Sequence, residues 1–112
     1  MEIKCEDGGK NLIVFITGDI DHHSAQEIKR KVDKSFERSN AKNIIISFKN
    51  VSFMDSSGIG MLMGRYKTIN YRGGGKLVAA EMTAGISRIF DMSGLSKIIS
   101  RAATVEEAVR SL

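Results

Sequence analysis

Asn43-Ile44-Ile45-Ile46-Ser47-Phe48 runs, two residues later, into Val51-Ser52-Phe53-Met54-Asp55-Ser56-Ser57-Gly58, and these two stretches decide the fold. The first is almost continuously apolar, without helical punctuation. That suits a central strand covered on both faces. In the second, an Asp and two Ser residues stand immediately before a periodic run, the signature of a helix N-terminus. A buried strand feeding directly into a helix is half of a βαβ unit. In the helix, Ile59, Leu62, Met63, Tyr66 and Ile69 form the expected inward stripe, and Gly73-Gly74-Gly75 ends it, because glycine reaches left-handed backbone conformations at little cost. Met61 falls outside that stripe and is expected to be an exposed apolar contact.

Toward the C-terminus, Lys76-Leu77-Val78-Ala79-Ala80 reads as another core strand. Thr83 caps a short helix carrying Ile86, Ile89 and Phe90, stopped by Gly94. Lys97 to Ser100, around Ile98-Ile99, reads as a short edge strand. Thr104 opens a last helix with Val105, Ala108, Val109 and Leu112 as its apolar side. Glu106 and Glu107 fall in its first turn, where the helix dipole favours negative charge.

Toward the N-terminus, Gly18-Asp19-Ile20-Asp21-His22-His23-Ser24 is a polar loop leading to a helix with Ala25, Ile28, Val32 and Phe36 on one stripe. Ser24 followed by Glu27 matches a capping box. Asp21 is the other candidate cap, and the sequence does not decide between them. Leu12 to Thr17 is a β-branched strand, and residues 2 to 6 alternate weakly with Ile3 and Cys5 inward. The turn Asp7-Gly8-Gly9-Lys10 joins the two as a hairpin. The order is β-β-α-β-α-β-α-β-α. This predicts one α/β domain over residues 1–112, with a mixed sheet of four or five strands and about four helices.

The chain has 112 residues, 42% of them apolar, and a net charge of +4. That length is one ordinary domain. The single cysteine, Cys5, excludes an internal disulfide, and no Cys/His cluster suggests a metal. The start Met-Glu-Ile-Lys is unlike a signal peptide, and no apolar run reaches the ~18 residues of a membrane span. The expectation is a cytoplasmic monomer. Basic residues are mixed with acids, as in Glu27-Ile28-Lys29-Arg30-Lys31-Val32-Asp33, and no aromatic stacking motif accompanies them. This speaks against nucleic acid.

Met54-Asp55-Ser56-Ser57-Gly58-Ile59-Gly60 is the richest local feature. It places two hydroxyls at a helix start, where free N–H groups attract anions. Gly58 and Gly60 would leave the surface low for an approaching protein. A plainer reading is also open. Asp and Ser are preferred caps, worth about 1 kcal/mol, and first-turn glycines permit close packing. A phosphate loop is excluded because Gly73-Gly74-Gly75-Lys76 precedes a strand. Gly-x-Ser-x-Gly is absent. His22 and His23 are sequence neighbours in the loop before the first helix and point in different directions. Neither a metal site nor an enzyme is expected.

Gly18-Asp19-Ile20-Asp21-His22-His23-Ser24, Phe53-Met54-Asp55-Ser56-Ser57-Gly58-Ile59-Gly60 and Phe90-Asp91-Met92-Ser93-Gly94-Leu95 closely resemble the anti-sigma factor antagonists of the STAS domain family. The Asp-His-His loop and Gly64-Arg65-Tyr66-Lys67 look most like the sporulation branch, the anti-sigma F factor antagonists. The resemblance implies partner switching in transcription regulation. The unmodified antagonist, an anti-anti-sigma factor, binds an anti-sigma factor that is also a serine kinase, and so frees the sigma factor. The kinase, with its bound nucleotide, phosphorylates and inactivates the antagonist, and a PP2C-type phosphatase restores it. The phosphorylated serine of the family follows the Asp, which implies Ser56 here, with Ser57 as second choice. The implied partner-binding residues are Asp21, His22, His23, Asp55, Ser56, Ser57, Gly58 and Met61. No cofactor of its own is implied. The alternative is a non-cycling docking subunit of a stress-signalling complex.

Overall fold

The computed structural model describes residues 1–112. Its central strand is β3 (Asn43–Asn50), flanked by β2 (Asn11–Thr17) and β4 (Leu77–Ala80), both parallel to it. β5 (Ser100–Ala102) extends the parallel set, and β1 (Glu2–Gly8) pairs antiparallel with β2 through the predicted hairpin. The result is one five-stranded mixed sheet in the order β1-β2-β3-β4-β5. The helices are α1 (His22–Arg38), α2 (Ser56–Arg72), α3 (Ala84–Met92) and α4 (Val105–Arg110).

Ile44 to Phe48 are all buried because both faces of β3 are covered. Ile44, Ile46 and Phe48 join the large core under α1, α2 and α3, with Ile28, Val32, Phe36, Leu62 and Phe90. Ile45 points to the other face, where Val78, Ala80, Val105 and Ala108 form a small core under α4. Burying each of these large side chains contributes about 1.5–3 kcal/mol. The sheet is therefore lopsided, with three helices on one face and a single short one on the other. No helix is long and apolar enough to cross a membrane.

Two expectations need correction. Ile98-Ile99 is not a strand. Leu95–Lys97 forms a 3₁₀ turn after the left-handed Gly94, and β5 starts only at Ser100. That turn drops Ile99 into the core and leaves Ile98 exposed. In α4, only Val105 and Ala108 are buried; Val109 and Leu112 face outward, because so short a helix covers its sheet face with one turn. Cys5 faces inward as expected, half-buried and packing against the core from the edge strand.

Candidate functional site

The site is built by backbone hydrogen bonds between two loops. Ile20 N–H donates to the Phe53 carbonyl at 2.8 Å, and Asp55 N–H donates to the Ile20 carbonyl at 3.1 Å. Ile20 and Met54 thus form an isolated parallel bridge outside the named strands. Gly18 N–H to the Asn50 carbonyl (3.1 Å) and Ser52 Oγ to Asp19 Oδ1 (2.9 Å) continue the seam. Because the residue after each bridge partner caps a helix, the seam sets the N-termini of α1 and α2 side by side.

Asp21 is the cap of α1. Its Oδ1 accepts from Ser24 N–H at 2.9 Å, and Ser24 Oγ accepts from Asp21 N–H at 2.9 Å. The capping box is therefore Asp21–Ser24, not Ser24–Glu27, since Asp21 has extended backbone and Ser24 already lies inside the helix. His22 and His23 are the first two helical residues rather than loop residues, and both are exposed. His23 Nε2 lies 3.0 Å from Glu27 Oε1, one turn on. The Asp21 carboxyl is held below its ordinary value of 3.8, first by the Ser24 backbone N–H and then by the Ser24 hydroxyl.

Asp55 caps α2, its Oδ1 accepting from Ser57 N–H at 2.8 Å. Ser56 is the first residue of α2 and is exposed, while Ser57 is half-buried. Of the eight predicted docking residues, Asp21, His22, His23, Asp55, Ser56 and Ser57 are accessible around the seam.

Gly58 and Met61 are not. Gly58 is buried, and a Cβ there would collide with the Met54 side chain and stand 3.2 Å from Ile20 Cγ2. Its missing side chain lets α2 pack onto the Ile20–Met54 seam rather than lowering the outer surface. Gly60 does lie open, with nothing within 4 Å of where a Cβ would be. Met61 is 5% exposed and belongs to the core. The buried stripe of α2 is Gly58, Met61, Leu62, Arg65 and Ile69, rotated from the predicted one because α2 packs on α1 as well as on the sheet. The exposed apolar residue at this surface is Phe53, at 51%.

Sequence patterning missed Arg65. It is 3% exposed, and its Nε lies 2.8 Å from Asp33 Oδ1 on α1. The contact is an ion pair, and Arg65 Nη1 makes no hydrogen bond within the domain. Burial pushes the Arg65 guanidinium down, countered by Asp33. Burial pushes the Asp33 carboxyl up, countered by Arg65 and Lys29. An arginine on a helix reads as solvated surface, and only the α1–α2 packing reveals otherwise.

The STAS domain family model matches residues 2–108. An anti-sigma F factor antagonist from Paenibacillus polymyxa is 38% identical over 99 residues, 88% of this chain and 84% of that protein. The solved structure of the anti-sigma factor antagonist SpoIIAA in its unphosphorylated form superposes with a TM-score of 0.82 at 28% identity, over 99% of this chain and 98% of that one. The phosphorylated form of SpoIIAA, from Bacillus, superposes with a TM-score of 0.74 at 27% identity, over 98% of each chain. A family model that runs from the first strand into the last helix, with a solved relative superposing end to end, leaves one assignment: the chain belongs to the STAS domain family.

Proposed function

We propose that this chain is an anti-anti-sigma factor of the sporulation type. It docks on an anti-sigma factor serine kinase through the paired N-termini of α1 and α2, and so releases the sigma factor. The observation that carries the reading is the position of Ser56, exposed at the first residue of α2 beside the Asp21 cap. The kinase, with ATP bound, transfers the γ-phosphoryl group to Ser56 Oγ, and the hydroxyl proton leaves to a base on the kinase. A PP2C-type phosphatase hydrolyses the ester. The protein works as a cytoplasmic monomer, without contact to nucleic acid or membrane.

The physics of the site supports a local switch. Phosphoserine adds nearly two negative charges. The helix dipole at an N-terminus accommodates them, so the fold persists. The docked partner meets a dianion where it had met a hydroxyl. An unpaired charge across an interface costs several kcal/mol, about two to three orders of magnitude in affinity.

The test is binding and labelling with the cognate kinase. Ser56→Ala should bind and take no phosphate. Ser56→Asp should bind roughly 100-fold more weakly while melting near the wild-type temperature. Label found only on Ser57, or a globally unfolded Ser56→Asp, overturns the assignment. A one-phosphate species in native protein supports cycling; its absence under every growth condition favours a constitutive docking subunit.

A further inference from the structure

A groove of about 300 Å³ lies between the first turns of α1 and α2. His22, Gln26 and Lys29 form one wall, and Ser57, Gly60 and Arg65 the other. Gly60 and Gly64 leave it open, since a Cβ at either would meet nothing within 4 Å. No carboxylate lines it. Lys29 is exposed and has no ion-pair partner. Arg65 lines the groove but is almost wholly buried, its Nε 2.8 Å from Asp33 Oδ1. A guanidinium presents five donors in a rigid fork, more than one carboxylate oxygen can satisfy. The groove therefore presents two cationic side chains and no carboxylate of its own.

The charges set what the groove accepts. Asp33 pairs with Arg65 and is not among the residues lining the groove, so together with Lys29 the three charges sum to about one positive unit. One carboxylate balances that; a dianion overshoots it. His22 and Ser57 belong to both this groove and the docking face, so a partner seated over Ser56 also covers the groove. We propose that the groove receives a single Asp or Glu side chain of the docked anti-sigma factor, held by Lys29 and Arg65. This rests on the docking reading above and adds the chemistry of one partner contact.

The test is calorimetric titration with the cognate anti-sigma factor at low salt. Lys29→Glu should weaken binding roughly 30-fold or more, as loss of a desolvated charge contact does. Lys34→Glu makes the same charge change in a different groove, the one between α1 and the start of β1. It should change affinity less than about threefold, as rim charges do. Both residues are exposed, and both variants should melt with wild type. The NMR resonance of Arg65 Nε–H should move when the partner binds. Equal, small effects of the two variants overturn the groove contact. So does an Arg65 resonance that moves with inorganic phosphate and not with the partner. If Ser56→Asp weakens binding while Lys29→Glu does not, the groove contact alone fails. If Ser56→Asp binds like wild type, the switch fails, and a selective Lys29→Glu loss still upholds the groove.

Discussion

Ile20 and Met54 are joined in one parallel β-bridge, and both are almost completely removed from solvent. Neither residue bears any chemistry. Yet their pairing makes neighbours of Asp21 and Asp55, which are far apart in sequence and cap different helices. The proposed docking surface is thus held by two apolar side chains beneath it, and by the absence of a third at Gly58.

Gly58→Ala is expected to destabilise the domain by about 1–3 kcal/mol, the usual cost of an added methyl in a filled site. Its Cβ collides with Met54, so Met54→Ala should relieve part of that cost. Urea denaturation of the two single variants and the double variant measures the coupling. Simple additivity would show that the seam tolerates the methyl without repacking.

Met61 and Phe53 should separate stability from binding. Met61→Ala removes a buried side chain and should cost about 2–4 kcal/mol of folding free energy. Phe53→Ala removes a half-exposed ring and should change stability by less than about 1 kcal/mol. Docking should nevertheless weaken about tenfold or more, since aromatic rings at interface centres dominate affinity. Denaturation and titration with the anti-sigma factor give both values for each variant. A folded Met61→Ala variant that loses only affinity would restore Met61 as a surface contact.

Strand and helix order were legible because β3 is continuously apolar and Asp55-Ser56-Ser57 marks a helix start without ambiguity. The position of Ser56 at a helix start was legible for the same reason, but the cap of α1 was not, since Asp21 and Ser24 both stood open. Ser24 and Glu27 satisfy the same local pattern as Asp21 and Ser24, and only backbone geometry separates them. The rotation of α2 was not legible. Its buried stripe contains a glycine and an arginine, so hydrophobic spacing favours the row Ile59, Met63 and Tyr66, which is only half-buried. The 3₁₀ turn at Leu95 was hidden too, because Ile98-Ile99 is β-branched yet one of the pair faces solvent.

The two perturbed carboxyls give pH dependences of opposite sign. Asp21 is depressed below 3.8 in the folded state, so it contributes stability that is present above its unfolded pKa and lost as pH falls through the folded value. Asn still caps a helix, so Asp21→Asn isolates the charge. Wild type should exceed the variant by a constant margin well above pH 3.8, a margin that shrinks as the pH falls below it. Asp33 is raised above 3.8, so its contribution is fully present below the unfolded pKa and declines as pH rises through the folded value. Asp33→Asn should flatten that decline. Denaturation midpoints across the acid range distinguish the two. A margin for Asp21→Asn that grows on acidification contradicts the capping hydrogen bonds as the cause.

Asp33 and Arg65 tie α1 to α2 through an ion pair, and their energetics should be non-additive. Asp33→Asn leaves the Arg65 guanidinium buried without its counter-charge. Removing one partner of a buried pair is usually costly, but desolvation of the Asp33 carboxylate already outweighs its attraction to Arg65, so the expected loss at neutral pH is under about 1 kcal/mol. Replacing both, with Asp33→Asn and Arg65→Met, should recover most of that loss, because an apolar side chain of similar length fills the space without a desolvated charge. Docking should not recover with it, since the double variant has lost a cation that the groove requires. Thermal denaturation and partner titration on the same three variants resolve the two effects. A double variant that regains both stability and affinity would reduce Arg65 to a packing role and leave Lys29 as the only cation of the groove.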